Sequence, residues 1–303
     1  MASASGAEVE WERVLWKRQP FPDNYVPKTF LSSLSTNANF RPYTYASLVL
    51  ASCTISLHLA VIFIFLAIFV RLRERTLDPR LLVWISVLSF VCFYTLWEIV
   101  EHLATAQSRL ANRAKTVKSS ILIFLALLAL SPVLRTLTAA TSSDSIWALA
   151  ACLFALNVLL ADYTPMLSAQ QHPRERLSSV LSVNAAIAAS VVLASRLADD
   201  VSVFALMLLS VEAFALAPLL RRRLQTAPAG FAGLTLLAAG LAVALTAGLS
   251  RTVAVLYAAA FAFVTLAAPS LLVWAQRYKN EIRGSWDPAV PKVNLAPHGA
   301  RPG

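Results

Sequence analysis

Along this chain apolar residues come in long, nearly unbroken stretches separated by short polar segments. The hydrocarbon core of a bilayer is about 30 Å thick, and a helix crosses it in roughly 20 residues. Eight stretches fit that requirement: Ser47–Val70, Leu81–Trp97, Ser119–Leu134, Ser145–Ala161, Leu177–Ser195, Val201–Leu220, Gly230–Leu249 and Thr252–Gln276. The pattern predicts an all-α fold, a polytopic transmembrane bundle of about eight spans. Little more than Ser250 and Arg251 separates the last two spans, so they form a tight helical hairpin. Pro132, Pro218 and Pro269 fall near the ends of their spans, where proline disturbs a helix least. Three regions follow: an N-terminal segment 1–46, a transmembrane domain 47–276 and a tail 277–303.

Composition agrees with this reading. The chain has 303 residues, 58% hydrophobic and only 14% charged, with mean hydropathy +0.65. A soluble domain carries about 25% charged residues. The first 46 residues are polar and include Glu8, Glu10, Glu12 and Asp23, so no cleavable signal peptide is expected. Cys53, Cys92 and Cys152 all lie inside spans and read as small packing residues, not as a disulfide framework. The net charge of +10 is unevenly spread. The N-terminal arm, the even-numbered loops and the tail hold 19 Lys or Arg, the odd-numbered loops 7. Basic residues mark the cytoplasmic side, which places both termini there. "RLRERTLDPR", Arg71 to Arg80, is the exception, with four Arg on the other side.

The loops bound the chemistry. The longest between spans runs from Glu98 to about Lys118, too short for a nucleotide-binding domain, and no Gly-rich phosphate loop exists. Glu98, Glu101 and His102 share a helix face and could ligate a metal, but they read as the wetted exit turn of the second span. Asp199 and Asp200 read as helix caps. Glu212, an acid inside the sixth span, reads as a hydrogen-bonded structural residue. No catalytic residue, cofactor, metal or nucleic-acid partner is expected. "RRRLQ" after the sixth span is a basic stop signal, and its Arg221, Arg222 and Arg223 could contact anionic lipid headgroups.

The fifth span is dominated by small residues. Ser178, Ser182, Ala186, Ser190 and Ala194 recur every four positions, a face on which helix backbones approach closely. Leu193 is placed off that face. Asn184 points roughly opposite, with Ala188 and Ser195, so the helix has two interaction faces and should be central in the bundle or at an intersubunit contact. On the residues alone, a transporter or channel and an interaction subunit of a membrane enzyme both stay open. A membrane glycosyltransferase acting on a lipid-linked sugar would need a long acidic loop, which is missing.

The N-terminal segment holds the most specific motif, "RQPFPDNYVP", Arg18 to Pro27. Residues 8–17 are expected to form a short amphipathic helix with Trp11, Val14 and Leu15 on one side. Pro20 and Pro22 hold the chain extended, Asp23-Asn24 suit a turn, and Phe21 and Tyr25 become pre-positioned aromatic anchors for a partner. Trp11, "VLW" (Val14–Trp16) and "RQPFPDNYV" together resemble the PIG-C family, which supplies the C subunit of the phosphatidylinositol N-acetylglucosaminyltransferase complex. The resemblance continues through "SPVLRTLT" (Ser131–Thr138), "SSDSI" (Ser142–Ile146), "ADY" (Ala161–Tyr163), "LSVNAAIAASVVLASRL" (Leu181–Leu197) and "KNEIRGSWDPA" (Lys279–Ala289). It covers essentially the whole chain. Departures are Ser285, Pro288 and Glu212, where the family tends to have Pro, Glu and Gln, and His102 beside the acidic pair.

The resemblance implies a subunit of the complex that transfers GlcNAc from UDP-GlcNAc to phosphatidylinositol, the first step of glycosylphosphatidylinositol (GPI) anchor synthesis, at the endoplasmic reticulum membrane. Its partners would be the catalytic A subunit, the other subunits and membrane lipids, phosphatidylinositol among them. The chemistry would lie in that catalytic partner, leaving this chain a non-catalytic scaffold or lipid-positioning subunit. A small-molecule or lipid transporter of the same membrane is the alternative.

Overall fold

The structure, a computed structural model, describes residues 11, 14, 16–22, 24–26, 35–36, 42–102, 109–137, 141–163, 177–225, 227–279 and 282–283. Helical stretches stand at each of the eight expected places: α1 Tyr45–Arg73, α2 Pro79–His102, α3 Arg109–Thr136, α4 Ser143–Leu160, α5 Leu177–Ala194, α6 over residues 200–224, α7 Pro228–Ala247 and α8 Arg251–Tyr278. Among the described residues, six of these are long and apolar enough to cross a membrane; the apolar parts of α2 (Pro79–Thr95) and α5 (Ser179–Ala194) are shorter. Side-chain oxygens set several helix starts. Thr44 accepts from the Ser47 amide (3.4 Å), Ser142 from Ser145 (3.4 Å) and Ser250 from Val253 (3.5 Å). Pro79 and Pro228 open α2 and α7, where the missing N–H costs nothing.

The chain divides into two compact units, residues 1–43 with 274–303, and residues 44–273. In the first, β1 (Ser35–Thr36) and β2 (Ile282–Arg283) pair antiparallel, Ser35 opposite Arg283. The Gln276 amide accepts from the Tyr43 N–H (2.9 Å) and donates to its carbonyl (3.2 Å). The amphipathic helix expected over residues 8–17 is not formed at its described positions: Trp11, Val14, Trp16 and Lys17 are non-helical. So short a helix is marginal in water without a surface to pack on, and Pro20 bars it from continuing.

In the second unit α1 packs along α7, and α4 along α5. The longest fully buried run among the described residues lies in α6. Every residue from Ser202 to Met207 is buried, as a helix enclosed on all sides requires. Phe65 of α1, Phe154 of α4 and Phe214 of α6 meet edge-to-face or tilted, centroids 5.2–5.9 Å apart. Two prolines shape the helices without breaking them. Val211–Leu216, just before Pro218, and Phe263–Ala267, just before Pro269, are π-helical turns in which Ala217 N–H reaches Glu212 O and Ala268 N–H reaches Phe263 O. A proline cannot donate to the carbonyl four residues back and its ring crowds it; the wider turn relieves both. Each π turn carries a polar side chain that bonds another helix. Glu212, 4% exposed, accepts from Ser89 Oγ (2.6 Å), and the Thr265 hydroxyl meets that of Ser56 (2.7 Å).

Candidate functional site

Four helices of the second unit wall a polar cleft at the end of the bundle where α4 stops, α5 starts and α6 finishes. Open space lies among His58, Asn157, Asp162, Ser179, Ser182, Phe214, Pro218, Arg221 and Arg222, with Ala161, Val183 and Ala213 completing the wall. Its inner wall is a hydrogen-bonded network. Asn157 Nδ2 donates to the Ser182 carbonyl (2.9 Å) and hydroxyl (3.0 Å), and Ser182 Oγ donates to the Asn157 carbonyl (2.7 Å). Because a carbonyl only accepts, the Asn157 amide is fixed, and its Oδ1 faces His58 Nε2 at 2.9 Å. His58 therefore carries its proton on Nε2. Its Nδ1 lies 2.9 Å from the Tyr163 hydroxyl, whose single proton serves either that nitrogen or the Val158 carbonyl (2.9 Å). Burial pushes the Tyr163 phenol up to about 12, with Arg221 pulling the other way, so it stays a protonated donor.

The opposite wall is cationic. Arg221 is 8% exposed; its Nη2 donates to the Asp162 carbonyl (3.1 Å) and its guanidinium sits over the Tyr163 ring at 5.6 Å. Its Nε is buried with no acceptor among the described residues. The Asp162 carboxylate pairs with Arg222 instead, at 3.5 Å. Both imidazole nitrogens of His58 are engaged. No group of three or more His, Cys, Asp or Glu that could hold a metal occurs among the described residues. What the described residues of the cleft offer is charge and hydrogen bonding.

A sequence profile of the family described as phosphatidylinositol N-acetylglucosaminyltransferase matches residues 11–287. The chain belongs to this family. Among its relatives, the GPI2 subunit of phosphatidylinositol N-acetylglucosaminyltransferase from Schizosaccharomyces pombe is 38% identical over 93% of this chain and 87% of its own. The C subunit of the same enzyme from Homo sapiens is 33% identical over 95% of both chains. The putative C subunit of Dictyostelium discoideum is 35% identical over 92% of this chain and 79% of its own. No solved structure matches.

In this member of the phosphatidylinositol N-acetylglucosaminyltransferase family, the residues singled out by sequence are scattered. Ser182 lies in the cleft network, while Ala186 and Ser190, both fully buried, face the core, Ser190 Oγ bonding the Ala186 carbonyl (2.8 Å). Asn184 and Ala188 are exposed on the chain's outer surface. Leu193, placed off the small face by sequence, is 1% exposed in the core. Seven residues of α-helix come within about 20° of two full turns, so Leu193 shares Ala186's side. Arg221 and Arg222 line the cleft; the Arg223 side chain lies outside the described residues. Phe21 stacks on Tyr25 (centroids 4.4 Å, 29°) across a turn closed by Tyr25 N–H to Pro22 O (2.9 Å). Trp11 is half-buried, Tyr25 is exposed, and Asp23 lies outside the described residues. Glu98 accepts from Tyr94 Oη (3.0 Å), and the Glu101 and His102 side chains lie outside the described set. Asp199 precedes α6 but takes the Ser202 hydroxyl (2.6 Å) and not a backbone amide, and Asp200 pairs with Arg135 (3.2 Å). Sequence reading passed over His58 and Asn157. A histidine and an asparagine deep in apolar spans were the available signal, since polar groups there seek the bundle interior.

Proposed function

We propose that this chain is a membrane-embedded, non-catalytic subunit of the enzyme that transfers GlcNAc from UDP-GlcNAc to phosphatidylinositol in GPI-anchor synthesis, seated in the endoplasmic reticulum membrane. It holds the catalytic partner and positions the lipid acceptor. The observation that carries this reading is the match over residues 11–287, with relatives named as subunits of that enzyme at 33–38% identity. The cleft supports the division of labour, because its imidazole is already spent on structure. The stacked Phe21–Tyr25 pair supports a docking role for the N-terminal segment, aromatics being frequent interface anchors.

The test is replacement in cells lacking their own PIG-C protein. This chain should restore GlcNAc-phosphatidylinositol synthesis in isolated microsomes, whereas the purified chain alone, given UDP-GlcNAc and phosphatidylinositol, should form none. A Phe21→Ala/Tyr25→Ala chain should still insert while co-purification with the catalytic partner and synthesis fall together. Product made by the isolated chain would end the non-catalytic reading, and full synthesis in the double variant would end the docking role.

A further inference from the structure

Arg221 poses a problem of charge. A guanidinium that leaves water is expensive unless an anion accompanies it. Arg221 is more than nine-tenths buried, yet the carboxylate beside it, Asp162, makes its ion pair with Arg222. Among the described residues Arg221 has the Asp162 backbone carbonyl, the face of Tyr163 and the Asp162 charge shared with Arg222, and its Nε has no acceptor. Among the described residues lining the cleft, two guanidinium groups, Arg221 and Arg222, face one carboxylate, Asp162. The open space lies directly against that arginine.

We propose that the cleft binds the phosphodiester of an acidic glycerophospholipid, its single negative charge answering the guanidinium of Arg221. A phosphodiester is a monoanion, which matches the surplus, and a planar guanidinium offers it parallel donors. Ser179, half-buried on the same wall, adds a hydroxyl toward the headgroup alcohol. The surroundings select a lipid over a soluble ion. Leu159, Val180 and Leu219 are exposed at 78%, 50% and 51%, each within two residues of a cleft-lining residue, and offer the acyl chains an apolar track away from the mouth. The site deepens the lipid-positioning reading above and rests on it for the choice of phosphatidylinositol as the probe.

The experiment uses the full chain in phosphatidylcholine nanodiscs doped with a photoreactive phosphatidylinositol, with no other subunit present. Labelling should map to residues 157–163 and 213–222. Arg221→Gln should cut it about tenfold, as loss of a charge-assisted bond implies, and Arg221→Lys should keep part of it. Ser179→Trp, which fills the open space beside the arginine and leaves its charge in place, should abolish labelling while elution volume and unfolding temperature stay those of the parent chain. Undiminished labelling in a folded Arg221→Gln or Ser179→Trp chain overturns the site. Displacement of the label by an equal concentration of inorganic phosphate overturns its assignment to a lipid. Since binding is read on the isolated chain, loss of transferase activity in the assembled enzyme leaves this result untouched.

Discussion

Gly248, the residue that ends α7, lies against a guanidinium. A Cβ there would stand 2.8 Å from Arg71 Nη2, and that nitrogen donates to the Leu245 carbonyl at 2.8 Å. Arg71 thus ties the end of α1 to the last turn of α7, satisfying a carbonyl the helix leaves open. Gly248→Ala should push the guanidinium away and destabilise the chain by about 1 kcal/mol, the usual worth of one such bond. Thermal unfolding of the detergent-purified chain measures it, and in an Arg71→Ala background the same substitution should cost little more. A larger added loss would mean that the glycine serves something else. Sequence shows basic residues at such positions but not their partners. Arg71 reads as an exception to a charge rule and Arg221 as one of three equivalent stop residues, whereas in the fold the first binds a backbone and the second is a buried cation. His58 and Asn157, being single polar residues in apolar runs, carry no spacing that would connect them.

Helix positions were legible because a bilayer imposes one length on every span. Helix facing was less so. In α5 the buried positions are Ser182, Ala186, Ala189, Ser190, Leu193 and Ala194, so the packed face carries the small residues together with Leu193, which the helical period brings round beside them. Ala186→Phe and Leu193→Phe should both overpack the core, at about 1–3 kcal/mol each, whereas Ala188→Phe on the exposed face should change unfolding within about 0.5 kcal/mol. Recovery of monodisperse protein and its unfolding temperature separate the two groups; a loss at Ala188 as large as at Ala186 would show that the outer face is packed as well. The two π turns were illegible for a different reason. Pro218 and Pro269 announced a disturbance, but whether a helix breaks, kinks or widens depends on neighbours such as Ser89 and Ser56 that sit far away in sequence.

Across the molecule, the asymmetry of 19 basic residues against 7 remains the argument for direction. Tags at Met1 and Gly303 should both be cleaved by protease in sealed microsomes whose cytoplasmic face is outward, and protection of either tag would reverse the assignment. That direction would put the Arg221 cleft at the cytoplasmic leaflet. The bundle also has an order in time. The face of α1 that holds Cys53, Leu57 and Ala60 is covered by Phe231 and Ala242 of α7 and by Phe261 of α8, and Ser56 bonds Thr265 of α8. During synthesis at about 5–20 residues per second, α7 emerges roughly 10 to 30 seconds after α1. Throughout that interval the first helix presents a serine-bearing stripe with no helix of its own chain to receive it. A message truncated between α1 and α7 would make that exposure permanent, and the product would be recognised as unfinished by whatever patrols the bilayer for uncovered polar groups.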